Sequence, residues 1–162
     1  MDVTVRALDP GEDRAAADAF LEEHSAMHVA RLGELVDARR HPVLVAEEKG
    51  RLVGALTYAL DGDRCEILTL HAAERYRGIG RILLERLQGL VGSQGCRLLW
   101  LITTNDNVDA LRFYQRRGFH LAELHRGAVD ESRRSLKPEI PVVGEHGIRI
   151  RDELELHKQL AP

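Results

Sequence analysis

The sequence predicts a single α/β (α+β) domain in which a mixed, mostly antiparallel central sheet of about six or seven strands is flanked by helices. Three observations carry this expectation. Three β-rich runs follow one another across tight turns at residues 49–51 and 61–63, as in an antiparallel meander. Beyond residue 80 the apolar period becomes helical, and strand-like and helix-like segments then alternate. With 162 residues, the chain is about the size of one ordinary domain, so residues 1–162 are expected to share one core.

Each element has its own signal. Val3 to Leu8 alternates as a short strand, and the Asp9-Pro10-Gly11-Glu12 turn starts an acidic, alanine-rich helix that runs to about His24. A second helix is expected over Ala26 to Ala38. The meander follows, as Val43 to Glu47, Leu52 to Leu60 and Cys65 to His71. Ile82, Leu83, Leu84, Leu87, Leu90 and Val91 recur at helical spacing, and that helix closes near Gly92 or Gly95. Arg97 to Thr103 is nearly continuous in apolar residues, which predicts a strand covered on both faces with Trp100 buried in it. Asn105-Asp106-Asn107 caps a helix carrying Ala110, Leu111, Phe113 and Tyr114, which stops at Gly118. Phe119 to His125 returns as a strand. Pro138 and Pro141 leave a short helix near Val129 to Ser135 and then a long loop. Glu153 to Leu160 is the last strand, and an exposed strand edge near the C-terminus leaves a homodimer open.

Composition narrows the partners. The formal net charge is −3, from 23 basic and 26 acidic residues without a long run of either sign, so nucleic acid is not expected as a partner. Cys65 and Cys96 lie in apolar runs without the spacing of a zinc site or a redox pair, and are read as reduced core residues. The opening residues MDVTVRALDP do not pair a basic segment with an apolar core, and no apolar stretch approaches the ~20 residues that span a bilayer. No membrane association is expected, and the expected location is cytosolic. The eight histidines form no convincing metal set in the sequence, so no metal is expected.

The chemically informative stretch is Arg75-Tyr76-Arg77-Gly78-Ile79-Gly80-Arg81, between a strand and an amphipathic helix. Glycines at 78 and 80 remove side chains where a phosphate would approach the main chain. The helix that starts there directs free N–H groups and a partial positive charge at the same point. Arg75, Arg77 and Arg81 can add charge-assisted bonds. GxGxxG is absent and no GK[ST] follows, so neither a dinucleotide fingerprint nor a P-loop is present. A glycine turn with solvated arginines would show the same letters. What makes the pattern specific is a second segment, Asn107, Ala110, Phe113, Tyr114, Gly118 and Phe119, beyond the next strand.

Together these segments resemble the GCN5-related N-acetyltransferase (GNAT) family, whose signature is R/Q-x-x-G-x-G/A. Arg75, Gly78 and Gly80 match it, and Asn107, Ala110, Tyr114, Gly118 and Phe119 fit the family's second segment. The likeness is close from about Val43 to His125; Ala72-Ala73 stands where a proline-containing turn is common. The resemblance implies the acyl-CoA N-acyltransferase fold, with acetyl-coenzyme A as acyl donor. Arg75, Tyr76, Arg77, Gly78, Ile79, Gly80 and Arg81 would hold the pyrophosphate. Leu68, Thr69 and Leu70 would pair with the pantetheine arm, and one of their N–H groups would polarise the thioester carbonyl. Asn107 would contact the pantetheine region, and Tyr114 would protonate the departing thiolate.

An alkylamine has a pKa near ~10.4, so acyl transfer needs a base or a site that lowers that pKa. Glu66 is the favoured base, with His71, His125, Asp152 and Glu153 as alternatives. The expected activity is transfer of acetyl to a primary amine of a small molecule or peptide, by direct attack in a ternary complex. A non-catalytic acyl-CoA sensor or scaffold, and an enzyme using a longer acyl-CoA, are the rival readings. The sequence names no acceptor.

Overall fold

The computed structural model describes residues 2–75 and 77–161. In chain order the elements are strand β1 (Val3–Leu8), helix α1 (Ala15–Glu23), strands β2 (His28–Arg31), β3 (Glu34–Asp37), β4 (Val43–Glu48), β5 (Arg51–Asp61) and β6 (Arg64–Ala72), and helix α2 (Ile79–Gly92). Strand β7 (Leu98–Thr104), helix α3 (Val108–Gln115), strand β8 (His120–His125), helix α4 (Ala128–Ser135) and strand β9 (Glu153–Gln159) complete the chain. Seven strands form one sheet in the order β1-β4-β5-β6-β7-β9-β8. Only β6 and β7 run parallel, joined by α2 as a crossover; the other neighbours are antiparallel. The expected mixed, mostly antiparallel sheet is the one observed.

Side-chain alternation in β4 divides the core into two layers. Leu44 and Ala46 pack with Leu83, Leu84, Leu87 and Val91 of α2 on one face, whereas Val43 and Val45 pack with Ala17, Phe20 and Leu21 of α1 on the other. That is why β4 reads as an unbroken apolar run: both of its faces are covered. Helix α2 lies very close to the sheet at Gly54, where an added Cβ would come within 2.5 Å of Ile79 Cγ2. The missing side chain there seats the first turn of α2 against β5, beside the end of β6.

Several local expectations are corrected. Ala26 to Ala38 is not a helix: β2 and β3 form a hairpin across Leu32 and Gly33, both at positive φ (49° and 77°). Alanine, leucine and arginine favour a helix locally, but the turn and long-range ties override them. Arg31 is ion-paired with Glu66, and the Leu32 N–H donates to Glu153 at 3.0 Å. Trp100 is half-buried rather than fully enclosed, with the Arg31 and Arg64 guanidinium groups 6.0 and 5.8 Å from its ring. The last strand is not an edge. It inserts between β7 and β8, Leu156 is fully buried, and β8 takes the edge with Leu121 and Leu124 each 53% exposed.

The long segment after α4 is anchored. Asn105 accepts from the main-chain N–H groups of Arg151 and Asp152 (2.9 and 3.0 Å) and donates to the Arg149 carbonyl (2.8 Å). Asp106, buried, accepts from Thr104 Oγ1 and from Glu145 N (2.9 Å). Gly144 lies so close that an added Cβ would fall 2.0 Å from Asp106 Oδ2. The two residues expected as helix caps thus tie down the distant loop, and Asn107 alone caps α3.

Candidate active site

The β6–β7 ladder pairs Arg64–Ile67 with Leu98–Leu101 and goes no further, although both strands continue. At the same level β6 bulges against β5, because Thr57 pairs with Thr69 and Tyr58 with Ile67, leaving Leu68 as the extra residue. The strands therefore part into a wedge. Main-chain groups of Leu68, Thr69 and Leu70 that face β7 have no strand partner there. The wedge opens into a cleft of about 840 Å³, lined on one wall by Leu68, Thr69 and Leu70 and on the other by Ile102, Thr103 and Thr104.

Gly78, at φ 79° and ψ 10°, is the residue before α2, and no side chain caps that end. The first intrahelical bond runs from Ile82 N to Gly78 O, so the N–H groups of Ile79, Gly80 and Arg81 have no helical acceptor. They open at the cleft with Arg75 and Arg77. Arg75 pairs with Asp109 at 3.0 Å, Arg77 with Glu48 at 2.9 Å, and Arg81 lies 3.9 Å from Glu85. These contacts are partly solvated, so an anion of higher charge can displace them at small cost. Gly80 serves packing as well: an added Cβ would meet two ring atoms of Phe113 at 3.2 Å. Tyr76, expected in this loop, lies outside the described residues.

Across the wedge, Asn107 accepts from Ala110 N and donates to Thr103 Oγ1, both at 3.2 Å, which joins the start of α3 to the β7 wall. Tyr114 lines the same cleft and is 7% exposed, its ring edge-on to Phe113 and Phe119 with centroids 5.0 and 5.2 Å away. Burial pushes its phenol well above the ordinary range, so it stays protonated at neutral pH.

The expected base, Glu66, is buried and ion-paired with Arg31, and does not line the cleft. Burial raises its pKa, against the Arg31 hydrogen bond. Of the alternatives, His71 and Glu153 line the cleft. Glu153 is 1% exposed; Leu32 N occupies its Oε1, and Oε2 has no protein partner among the described residues. Burial raises its pKa. Asp152 accepts from Gly127 N at 2.8 Å, at the start of α4, while His125 is bound to Glu155 at 3.1 Å. His125 lines a smaller cavity of about 320 Å³ that has Ser132 and Glu153 in common with the cleft.

Burial, with a smaller contribution from neighbouring His24, holds the His71 imidazole down at about 4 instead of 6.5. The unfolded chain takes up that proton near pH 6.5 and the native chain only near 4. The contribution to stability is therefore complete above pH 6.5 and is lost as pH falls toward 4, on the order of 3 kcal/mol in all. Urea unfolding at pH 7 and pH 4.5 should show this loss in wild type, and a smaller one in His71→Asn.

Both cysteines are free and buried, and burial pushes Cys65 up to about 12, which suits a core residue and not a nucleophile. Two clusters among the described residues, Asp109/Glu145/His146 and Glu123/His125/Glu155, gather potential metal ligands. In each, carboxylates already pair with Arg75 or His125. No helix of the described residues is long and apolar enough to cross a membrane. The Arg31 pairing with Glu66 and the Asp106 tie to Glu145 could not be read from the sequence, since those partners lie more than 30 residues away.

A profile described as "Acetyltransferase (GNAT) family" matches residues 9–119. The chain is 46% identical over 111 residues to the uncharacterized protein YdhI of Bacillus subtilis (strain 168), which covers 68% of this chain and 69% of that one. It is 31% identical over 117 residues to the streptothricin acetyltransferase of Streptomyces lavendulae, covering 67% of this chain and 61% of that protein. The crystal structure of a GNAT family acetyltransferase from Elizabethkingia anophelis with acetyl-CoA bound superposes with a TM-score of 0.71 at 16% identity, covering 98% of both chains. At that identity the likeness shows the fold.

Proposed function

We propose, because the chain belongs to the acetyltransferase (GNAT) family, that it transfers the acetyl group of acetyl-coenzyme A to a primary amine by direct attack within a ternary complex. One observation carries this reading: the wedge between β6 and β7, the uncapped start of α2 and Tyr114 all open on one cleft. An acyl donor with a diphosphate at one end and a thioester at the other suits that layout. The N–H groups of residues 79–81, with Arg75 and Arg77, would take the diphosphate. The unpaired main chain of Leu68–Leu70 would take the pantetheine arm as an added strand, beside Asn107 on the other wall. Tyr76 and Arg81 retain the pyrophosphate role that the resemblance implies.

The residues divide the chemistry as follows. Glu153 takes the proton from the amine, because it is the buried carboxylate lining the cleft and its Oε2 has no protein partner among the described residues. Its raised pKa brings it closer to the amine it must deprotonate. Glu66 is held by Arg31, and His71, at about 4, is too weakly basic to keep a proton near neutrality. As the new N–C bond forms, a main-chain N–H in Leu68–Leu70 holds the charge on the thioester oxygen, a donor worth about 2.7–4 kcal/mol in comparable sites. The C–S bond then breaks, and Tyr114 gives its proton to the departing sulfur.

Titration calorimetry with acetyl-coenzyme A should give a saturable heat, and amines should accelerate thiol release above the amine-free rate. Binding without amine-dependent release would favour a sensor. No heat with acetyl-, succinyl- or longer acyl-coenzyme A would end this reading.

A further inference from the structure

Charge is segregated along the cleft. Every arginine lining it among the described residues lies within residues 75–81 or 112–117, around the start of α2 and the end of α3. The opposite end is built from β2, α4, residues 137–140, Ile150 and the start of β9, and its walls are mainly apolar, with Val29, Ala30, Val129, Ile140 and Ile150 beside His28, Ser132 and Lys137. Among the described residues the one permanent cation there, Lys137, has its Nζ on the His28 carbonyl at 2.8 Å. Arg31 is taken by Glu66 and does not line the cleft. Glu74, Asp109 and Glu145 line the arginine end and lie within 4.0 Å of Arg75 or Arg77. Glu153 is therefore the buried carboxylate of the apolar end, and it has no salt bridge among the described residues.

We infer that the acceptor is a cationic amine with an apolar body and no carboxylate, docked through its ammonium on Glu153 Oε2; this rests on the acetyl-transfer reading of the same cleft. A carboxylate is costly to bury without a cation, and an incoming ammonium offsets that cost. The raised pKa of Glu153 is the sign of the cost in the free protein. His125 and Arg31 are the other charged or titratable groups that act on Glu153, both lowering its pKa, and neither reaches salt-bridge distance. An acceptor carrying an α-carboxylate would place that group against a mainly apolar wall, near a like charge, with no arginine at that end among the described residues and with Lys137 already bound to the His28 carbonyl. Its exclusion follows from charge, not size.

The test is binding to the protein saturated with coenzyme A, comparing phenethylamine with phenylalanine and tyramine with tyrosine by titration calorimetry. Each amine should bind about 100-fold or more tighter than its amino acid. Glu153→Gln should weaken the amines at least about tenfold and leave the amino acids little changed. Equal or tighter binding of the amino acids, or no heat with either amine, would overturn the inference; the wild-type comparison holds even where the variant does not fold. Thiol release from acetyl-coenzyme A separates the two readings. Amines that bind yet do not accelerate release leave the docking site standing and remove the acetyl-transfer reading.

Discussion

Tyr114→Phe should lower kcat for acetyl transfer by about 10²- to 10⁴-fold while acetyl-coenzyme A affinity and unfolding free energy stay near wild type. The substitution removes one oxygen and keeps the ring wedged between Phe113 and Phe119. That oxygen has no protein hydrogen-bond partner among the described residues, so its loss leaves no buried donor or acceptor stranded. The phenol, raised by burial, remains protonated throughout the working pH range and would be the proton donor to the leaving thiolate. Steady-state thiol release, together with calorimetric binding and urea unfolding, checks all three parts. An unchanged kcat would make Tyr114 a core residue only.

Glu153→Gln should cost a similar factor, about 10² to 10⁴ in kcat/KM, and should also abolish the acidic limb of the pH–rate profile. In wild type the rate should fall as pH drops through the Glu153 pKa, which burial raises. Glutamine keeps an oxygen for Leu32 N but cannot accept the proton. The stability term has the opposite sign. Because the folded pKa is raised, ionisation of Glu153 costs the native state stability as pH rises through it, and the glutamine variant lacks that cost. Glu66→Gln supplies the contrast. Removing one partner of the buried Arg31 pair should destabilise the fold by about 3–5 kcal/mol without removing the acidic limb. If the limb persists in Glu153→Gln and vanishes in Glu66→Gln, the two carboxylates exchange roles.

The loop expected to take phosphate was legible because its signal is local. A strand, a glycine at positive φ and the first turn of an amphipathic helix lie within some 10 residues, and main-chain geometry follows from that order. Tyr114 and Asn107 were legible for the same reason, since both sit on one short capped helix. The acceptor end was not. Arg31 was read into a helix that is in fact a hairpin, and Glu66 looked available because its partner is 35 residues away. At Gly80, expected as clearance for phosphate, the structure adds a packing constraint, since the nearest atoms to an added Cβ are those of the Phe113 ring on another helix.

By itself, the sequence determined the order of the principal elements, the two faces of the α2 layer and the glycine-containing start of α2 at one end of the cleft. Each depends on periodicity, turn residues or helix termini, whose effects reach only a few residues. Tertiary structure alone decided that β9 enters between β7 and β8, that residues 28–30 form a strand lining the cleft, and that Glu153 rather than Glu66 lines it. Those outcomes depend on strand pairing and burial between segments up to 121 residues apart, as in the Leu32–Glu153 contact, and no local pattern encodes which buried carboxylate finds a cation and which does not.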